Sequence, residues 1–251
     1  ACRLLAKLFR SFDRLKAADK WDEIAQGIKK RMNEVCWNGR FYTHQVHIDP
    51  VGDLGVDESE QLSLSNTYDM NRGVADPWQC ESIIREYMKR RESRSSFAEW
   101  FSIDPPFPDG VFYGWAYRAG EYVNGGVMPF VGGELGKAAF NNGFEKYGAD
   151  ILTRYYEMIS EKNQAYLWYH RDGRPGISSA DNPGEYGDTL PTDGWGSSAM
   201  LSALIEGLAG VVDNGCCYDD IVLSPKWHMV GERKALVRVG YRERGDVEYH
   251  Y

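Results

Sequence analysis

The sequence predicts a mainly α-helical protein with a short run of β-strands at its C-terminal end, and three observations carry that expectation. Apolar residues recur with the helical period in several segments between Arg3 and Val212. Three loops that mix aromatic, polar and glycine residues each lead towards a helical segment, at Asn66 to Gly73, Glu121 to Pro129 and Asp188 to Trp195. Strand-like alternation becomes the main pattern only beyond Asp213, at Ile221 to Leu223, Ala235 to Val239 and Val247 to Tyr251.

Taken in order, Leu5, Leu8, Phe9 and Phe12 mark a first helix, and Trp21, Ile24, Ile28, Met32 and Val35 share one face of a second that leaves Lys29, Lys30, Arg31 and Glu34 for solvent. Trp37 to Tyr42 reads as a turn into a short extended piece. Asn66 to Gly73 reads as a loop, followed by Asp76 and Pro77 as N-cap and first residue of a helix to about Arg91. Residues 97–120 are aromatic and proline-rich and read as a long functional or covering loop.

The organising stretch comes next. Tyr122, Asn124, Gly125 and Gly126 form a tight loop before Pro129, whose free N–H groups and polar side chains suit a hydroxyl-rich ligand over a helix start. The helix Phe130 to Asn142 carries Gly132, Gly133, Gly136, Ala138 and Ala139, a bare side that permits close helix contact and marks it as central. Ile151, Leu152, Tyr155, Tyr156 and Ile159 define another amphipathic helix, Tyr166 to Tyr169 a brief extended run, and Ser197 to Val212 a last helix again rich in small residues.

Composition excludes some classes. With 251 residues the chain can bury a substantial core, and its formal net charge of -8 leaves no basic stripe to neutralise phosphates, against a nucleic-acid or anionic-membrane partner. No apolar run reaches the roughly 18 residues of a membrane span. The five cysteines lack metal-type spacing and read as reduced thiols, with a cytoplasmic setting favoured. Asp49, Asp53 and Asp57 do not fit a calcium loop, and Cys216, Cys217 and His228 lack a fourth zinc ligand, so no metal is expected. A phosphate-binding glycine loop, a nucleophile elbow and a zinc-protease motif are all missing, and no cofactor is expected.

Tyr122-Val123-Asn124-Gly125-Gly126-Val127-Met128-Pro129 resembles the Tyr-x-Asn-Gly-Gly-x-Trp-Pro loop of six-hairpin, (α/α)6-toroid carbohydrate enzymes, the glycosidases and glycoside phosphorylases, departing from it at Met128. Trp37 to Phe41, the helix near Trp195, and Leu223-Ser224-Pro225-Lys226-Trp227 are similar to the second half of that architecture, so that the resemblance spans roughly Leu4 to Trp227. It implies that residues 1–213 are the C-terminal half of a toroidal catalytic domain and that residues 214–251 begin a β region. The missing partner would be the N-terminal half of the same domain. The absence of an initiating methionine and the strand pattern at the last residues add to that expectation.

The implied function is glycoside hydrolysis of an oligosaccharide or glycoside by paired carboxyl groups, with a phosphorylase or a non-catalytic glycan- or partner-binding toroid as alternatives. Candidate catalytic groups are Glu134 in the first turns of the central helix, Asp193 before the helix of Trp195, where an aspartate is also an ordinary N-cap, and Glu121, which the resemblance to trehalase-like toroids marks as a base in its Glu-Tyr pair. Candidate substrate-binding residues are Tyr68, Asp69, Asn71 and Arg72 in the first loop, Tyr122, Asn124 and Gly125 in the second, and Tyr186 and Trp195 in or beside the third. Glu185 and Asp188 are lesser alternatives. All three loops are expected to meet at one rim.

Overall fold

The computed structural model describes residues 1–94, 96–111, 118–176, 192–215, 218, 220–240 and 245–251, with the backbone alone at Arg94 and Lys162. Its α-helices are α1 (Cys2–Ser11), α2 (Leu15–Val35), α3 (Ser65–Asn71), α4 (Pro77–Arg94), α5 (Pro129–Asn141), α6 (Glu145–Lys162) and α7 (Gly194–Ser202). A π-helical turn over Ala203–Leu208 continues α7. The strands form short antiparallel pairs: β1 (Leu62–Ser63) with β2 (Ile103–Asp104), β3 (Val211–Asp213) with β4 (Ile221–Leu223), and β5 (Leu236–Gly240) with β6 (Asp246–His250). The protein is thus mainly α. Among the described residues, no helix is long and apolar enough to cross a membrane.

Helix α5 is the axis of the core. From Pro129 to Phe140 every residue is buried except Glu134 and Lys137. Its small residues let α7 lie directly on it: a Cβ built at Gly133 would come within 2.3 Å of the Ala199 carbonyl carbon, so any side chain there would force the helices apart. Gly196 meets Pro129, Ala203 meets Gly136 and Gly207 meets the Phe140 ring, so contacts advance together along both chains and α5 and α7 run parallel. Between them α6 returns in the opposite direction, with Gly148 against Phe140, Ile151 against Gly136 and the Tyr155 hydroxyl 2.9 Å from Ser197 Oγ.

The same alternation holds on the other side of α5. Tyr68 lies beside Phe130 and Asn71 reaches Glu134, which sets α3 parallel to α5. Arg85 covers the Phe144 ring and Arg91 pairs with Asp150, which sets α4 alongside α6. Helices α3, α5 and α7 therefore point one way and the long helices α4 and α6 the other.

Several expectations change. The stretch expected as a loop from Asn66 to Gly73 is mostly helix, α3. Its Ser, Asn, Thr and Asp residues have poor helix propensity, but tertiary bonds hold it. The Asn66 amide accepts from the Tyr42 N–H at 2.8 Å and donates to the Tyr42 carbonyl at 2.9 Å, and Thr67 Oγ1 donates to the Leu64 carbonyl. The helix expected to run to Val212 stops sooner, because Gly210 turns the chain at φ +65° and Val211–Asp213 leaves to pair with Ile221–Leu223. The Tyr166 to Tyr169 run makes isolated bridges, with Tyr169 opposite Val127, and no strand.

Behind the helices sits a charged cluster that no sequence pattern announces. Glu99 is completely buried and takes both arms of Arg154 at 3.0 Å, together with the Tyr147 hydroxyl. Asp150 joins Arg154 to Arg91 at 2.8 and 2.6 Å. A buried carboxylate satisfied this fully fixes the packing of α4, α6 and the segment before β2.

Candidate functional site

The loop singled out by the sequence is a scaffold for the start of α5. Asn124 is fully buried, and its amide accepts from the Phe107 N–H at 2.8 Å and donates to the Phe107 carbonyl at 3.0 Å. Gly125 adopts φ +104°, where only glycine is unstrained, and its N–H donates to Ser102 Oγ at 2.9 Å. That hydroxyl in turn donates to the Tyr122 carbonyl at 2.7 Å. These groups answer the protein's own backbone and hold residues 102–107 against the loop. Tyr122 is half-buried beside Trp168, with ring centroids 6.4 Å apart. Glu121 is half-buried at the loop's entrance, where its carbonyl accepts from the Asn124 N–H at 2.8 Å.

The outward-facing chemistry lies where α3, α5 and α7 meet. Glu134, in the second turn of α5, has a side chain 17% exposed. Arg72 reaches it from the end of α3 with a two-armed fork, Nη1 to Oε2 at 2.8 Å and Nη2 to Oε1 at 2.9 Å. Asn71 Nδ2 donates to the same Oε2 and to the Glu134 carbonyl, each at 2.7 Å. A fork of this kind fixes the carboxylate in direction as well as place. The Arg72 guanidinium in turn lies 4.3 Å from the centre of the Tyr68 ring.

One turn towards the helix start, Phe130 stacks on Trp195 with centroids 4.4 Å apart and planes 7° from parallel. Phe130 is buried while Trp195 is 59% exposed, so the indole offers an aromatic face at the rim. Such a face, half supported by protein and half open, can stack on a flat apolar surface of a ligand. Asp193 places this indole: its carboxylate accepts from the N–H groups of Trp195 at 3.1 Å and Gly196 at 2.8 Å, as an N-cap. Lower on the same face of α5, Lys137 pairs with Glu206 and reaches Ser202 Oγ at 3.4 Å.

Electrostatically the unusual member is Asp69. It is 8% exposed, and its Oδ2 is buried with no hydrogen-bond partner. Burial pushes its carboxyl up to about 7, against the smaller opposing pull of Arg72. Burial also raises the Tyr68 hydroxyl, with Glu134 adding to the effect. The Arg72 guanidinium is held charged chiefly by its bonds to Glu134.

Of the residues marked in the sequence, the structure thus gathers Tyr68, Asn71, Arg72 and Glu134 into one bonded group, with Trp195 and Asp193 at the adjoining helix start. Asp69 is buried on the same helix, three residues before Arg72. The loop of Asn124 ends at the same end of the helices, since Pro129 packs on Gly196, but the Asn124 amide and the Gly125 N–H face inward. Among the described residues no hydrogen bond or ion pair joins Glu121 to Glu134 or Asp193. Tyr186, Glu185, Asp188, Cys216 and Cys217 lie outside the described residues. Missed from sequence were Lys137, Ser202, Glu206 and the support of Trp195 by Phe130. The signal for Lys137 was present, a second charge three residues after Glu134 on an otherwise apolar helix.

Among the described residues, no three of His, Cys, Asp or Glu are grouped so as to hold a metal ion. Comparison with family models and with curated proteins gives no match to this chain.

Proposed function

We propose that this chain belongs to a carbohydrate-active enzyme of the six-hairpin toroid type, with glycoside hydrolysis as its reaction. In this reading α3, α5 and α7 are inner helices of the toroid, α4 and α6 are outer ones, and the remaining hairpins lie outside residues 1–251. The observation that carries it is the pairing at one rim of an oriented carboxylate, Glu134, with an open aromatic face, Trp195. Sugar binding asks for that combination, a flat apolar surface beside fixed hydrogen-bonding groups. Glu134 serves as the base or nucleophile, Arg72 and Asn71 orient it, Tyr68 lines the same rim, and Asp193 places Trp195.

A second reading is favoured by one particular fact: both oxygens of Glu134 are already occupied by Arg72 and Asn71. A carboxylate in that state serves as a structural clamp, and the rim then binds glycans or a protein partner without turnover.

The two readings separate on a panel of aryl glycosides and disaccharides, run with and without inorganic phosphate. Hydrolysis that falls by a factor on the order of 10² or more in Glu134→Gln supports the first. Turnover that appears only with phosphate shifts the assignment to a phosphorylase. Glycan retention without turnover, lost in Trp195→Ala and kept in Glu134→Gln, establishes the second.

A further inference from the structure

Asp69 is a buried carboxyl with an unpartnered oxygen, placed one helical turn before the arginine that orients Glu134. An unsatisfied buried polar atom costs stability, and an orphan in a native core calls for a physical account. The ionisable groups electrostatically coupled to it are Arg72 from its own helix, Cys36 and Tyr42 from the end of α2 and the turn after it, and Tyr87 from α4. Burial raises the Cys36 thiol and the Tyr42 and Tyr87 hydroxyls, so each of these is neutral near pH 7. Arg72 is the one cation in that set, and it is already engaged by Glu134.

We propose that Asp69 is a positioning residue for Glu134 that acts through Arg72: as a neutral acid it leaves the guanidinium fork on Glu134, and once its proton passes to solvent it competes for Arg72 and frees Glu134 for a ligand. The two carboxyls thus share one guanidinium, and the proton on Asp69 decides how it is shared. Coulombic coupling of Arg72 to both carboxyls supports the arrangement, as does the displacement of Asp69 into the neutral range by burial. The role of Glu134 as the working carboxylate rests on the hydrolase reading, whereas the coupling between Asp69 and Arg72 does not.

The test is a pH titration of the whole chain from 4 to 9, following aspartate side-chain carboxyl carbons and arginine Nε by NMR. The expected result is one aspartate with a midpoint near 7, absent in Asp69→Asn, and an Arg72 Nε signal that moves with the same midpoint in the wild type and stays flat in Asp69→Asn. Arg72→Gln removes the opposing charge and should move the Asp69 midpoint upward, which keeps the proposal testable if the Asp69 variant fails to fold. An Asp69 midpoint near 4, or an Arg72 signal indifferent to Asp69, overturns it. A parallel pH profile of glycoside turnover should lose its near-neutral limb in Asp69→Asn. If the NMR coupling holds and no glycoside is turned over, the hydrolase reading falls and the link between Asp69 and Arg72 stands.

Discussion

Glu99 and Glu134 each receive both arms of an arginine, yet they sit in opposite surroundings. Glu99 is fully buried, with Arg154 and Tyr147 around it and the Trp100 ring 5.0 Å from the guanidinium. Glu134 is part-exposed, and its arginine is half in solvent. Burial alone separates a carboxylate whose partners cannot leave from one whose partners can. The inner pair anchors three segments of chain. The outer pair can exchange partners at modest cost, which is what a binding or reacting group requires.

The sharpest way to break this comparison is to remove a partner from the inner pair. Arg154→Met should destabilise the protein by roughly 3–5 kcal/mol, because it strands a buried carboxylate, and urea unfolding reads the loss directly. Next in size is the pH response set by Asp69. Its folded value is raised from 3.8 to about 7, so its stabilising contribution is complete below about pH 4 and is lost as pH rises through about 7. Melting followed from pH 4 to 8 should show a decline on the order of 3 kcal/mol that Asp69→Asn flattens.

Asn124→Ala comes third. It leaves the N–H and carbonyl of Phe107 without their amide, at a cost of about 2 kcal/mol in chemical unfolding. Smallest is the outer pair itself: Arg72 is half in solvent and so screened, and glutamine keeps an oxygen for Asn71, so Glu134→Gln should cost about 1 kcal/mol or less. A large loss in that variant would make Glu134 a structural group like Glu99 and erase the contrast.

How much of this was legible in the sequence depends on which physical signal was used. Helical periodicity and small residues placed α2, α4, α5 and α6 and marked α5 as central, because those patterns follow from burial of one face. Asp193 was legible as a cap from its place before Gly194 and Trp195. The helix α3 was not, since its side chains favour turns and only the Asn66 amide on the Tyr42 backbone and the packing around it make it a helix. Polar composition marked the loop of Asn124 as a ligand site, but an amide in a tight loop satisfies backbone or ligand equally well, and sequence cannot say which. Glu99 and Arg154 lie 55 residues apart, with no periodicity to connect them. The bonded group of Asn71, Arg72 and Glu134 was legible as a set of candidates and not as a set of contacts.

The parallel contact of α5 and α7 has a mechanical consequence. Phe130 and Glu134 lie four residues apart on α5, an axial rise of about 6 Å, and because bare glycine faces hold α7 in register against α5, the Trp195 platform stacked on Phe130 keeps that spacing from the carboxylate. That spacing works as a ruler built from backbone, insensitive to the long segments that join the helices. Changes in those segments can alter what reaches the rim, while the gauge between platform and charge stays constant until a side chain is placed at Gly133.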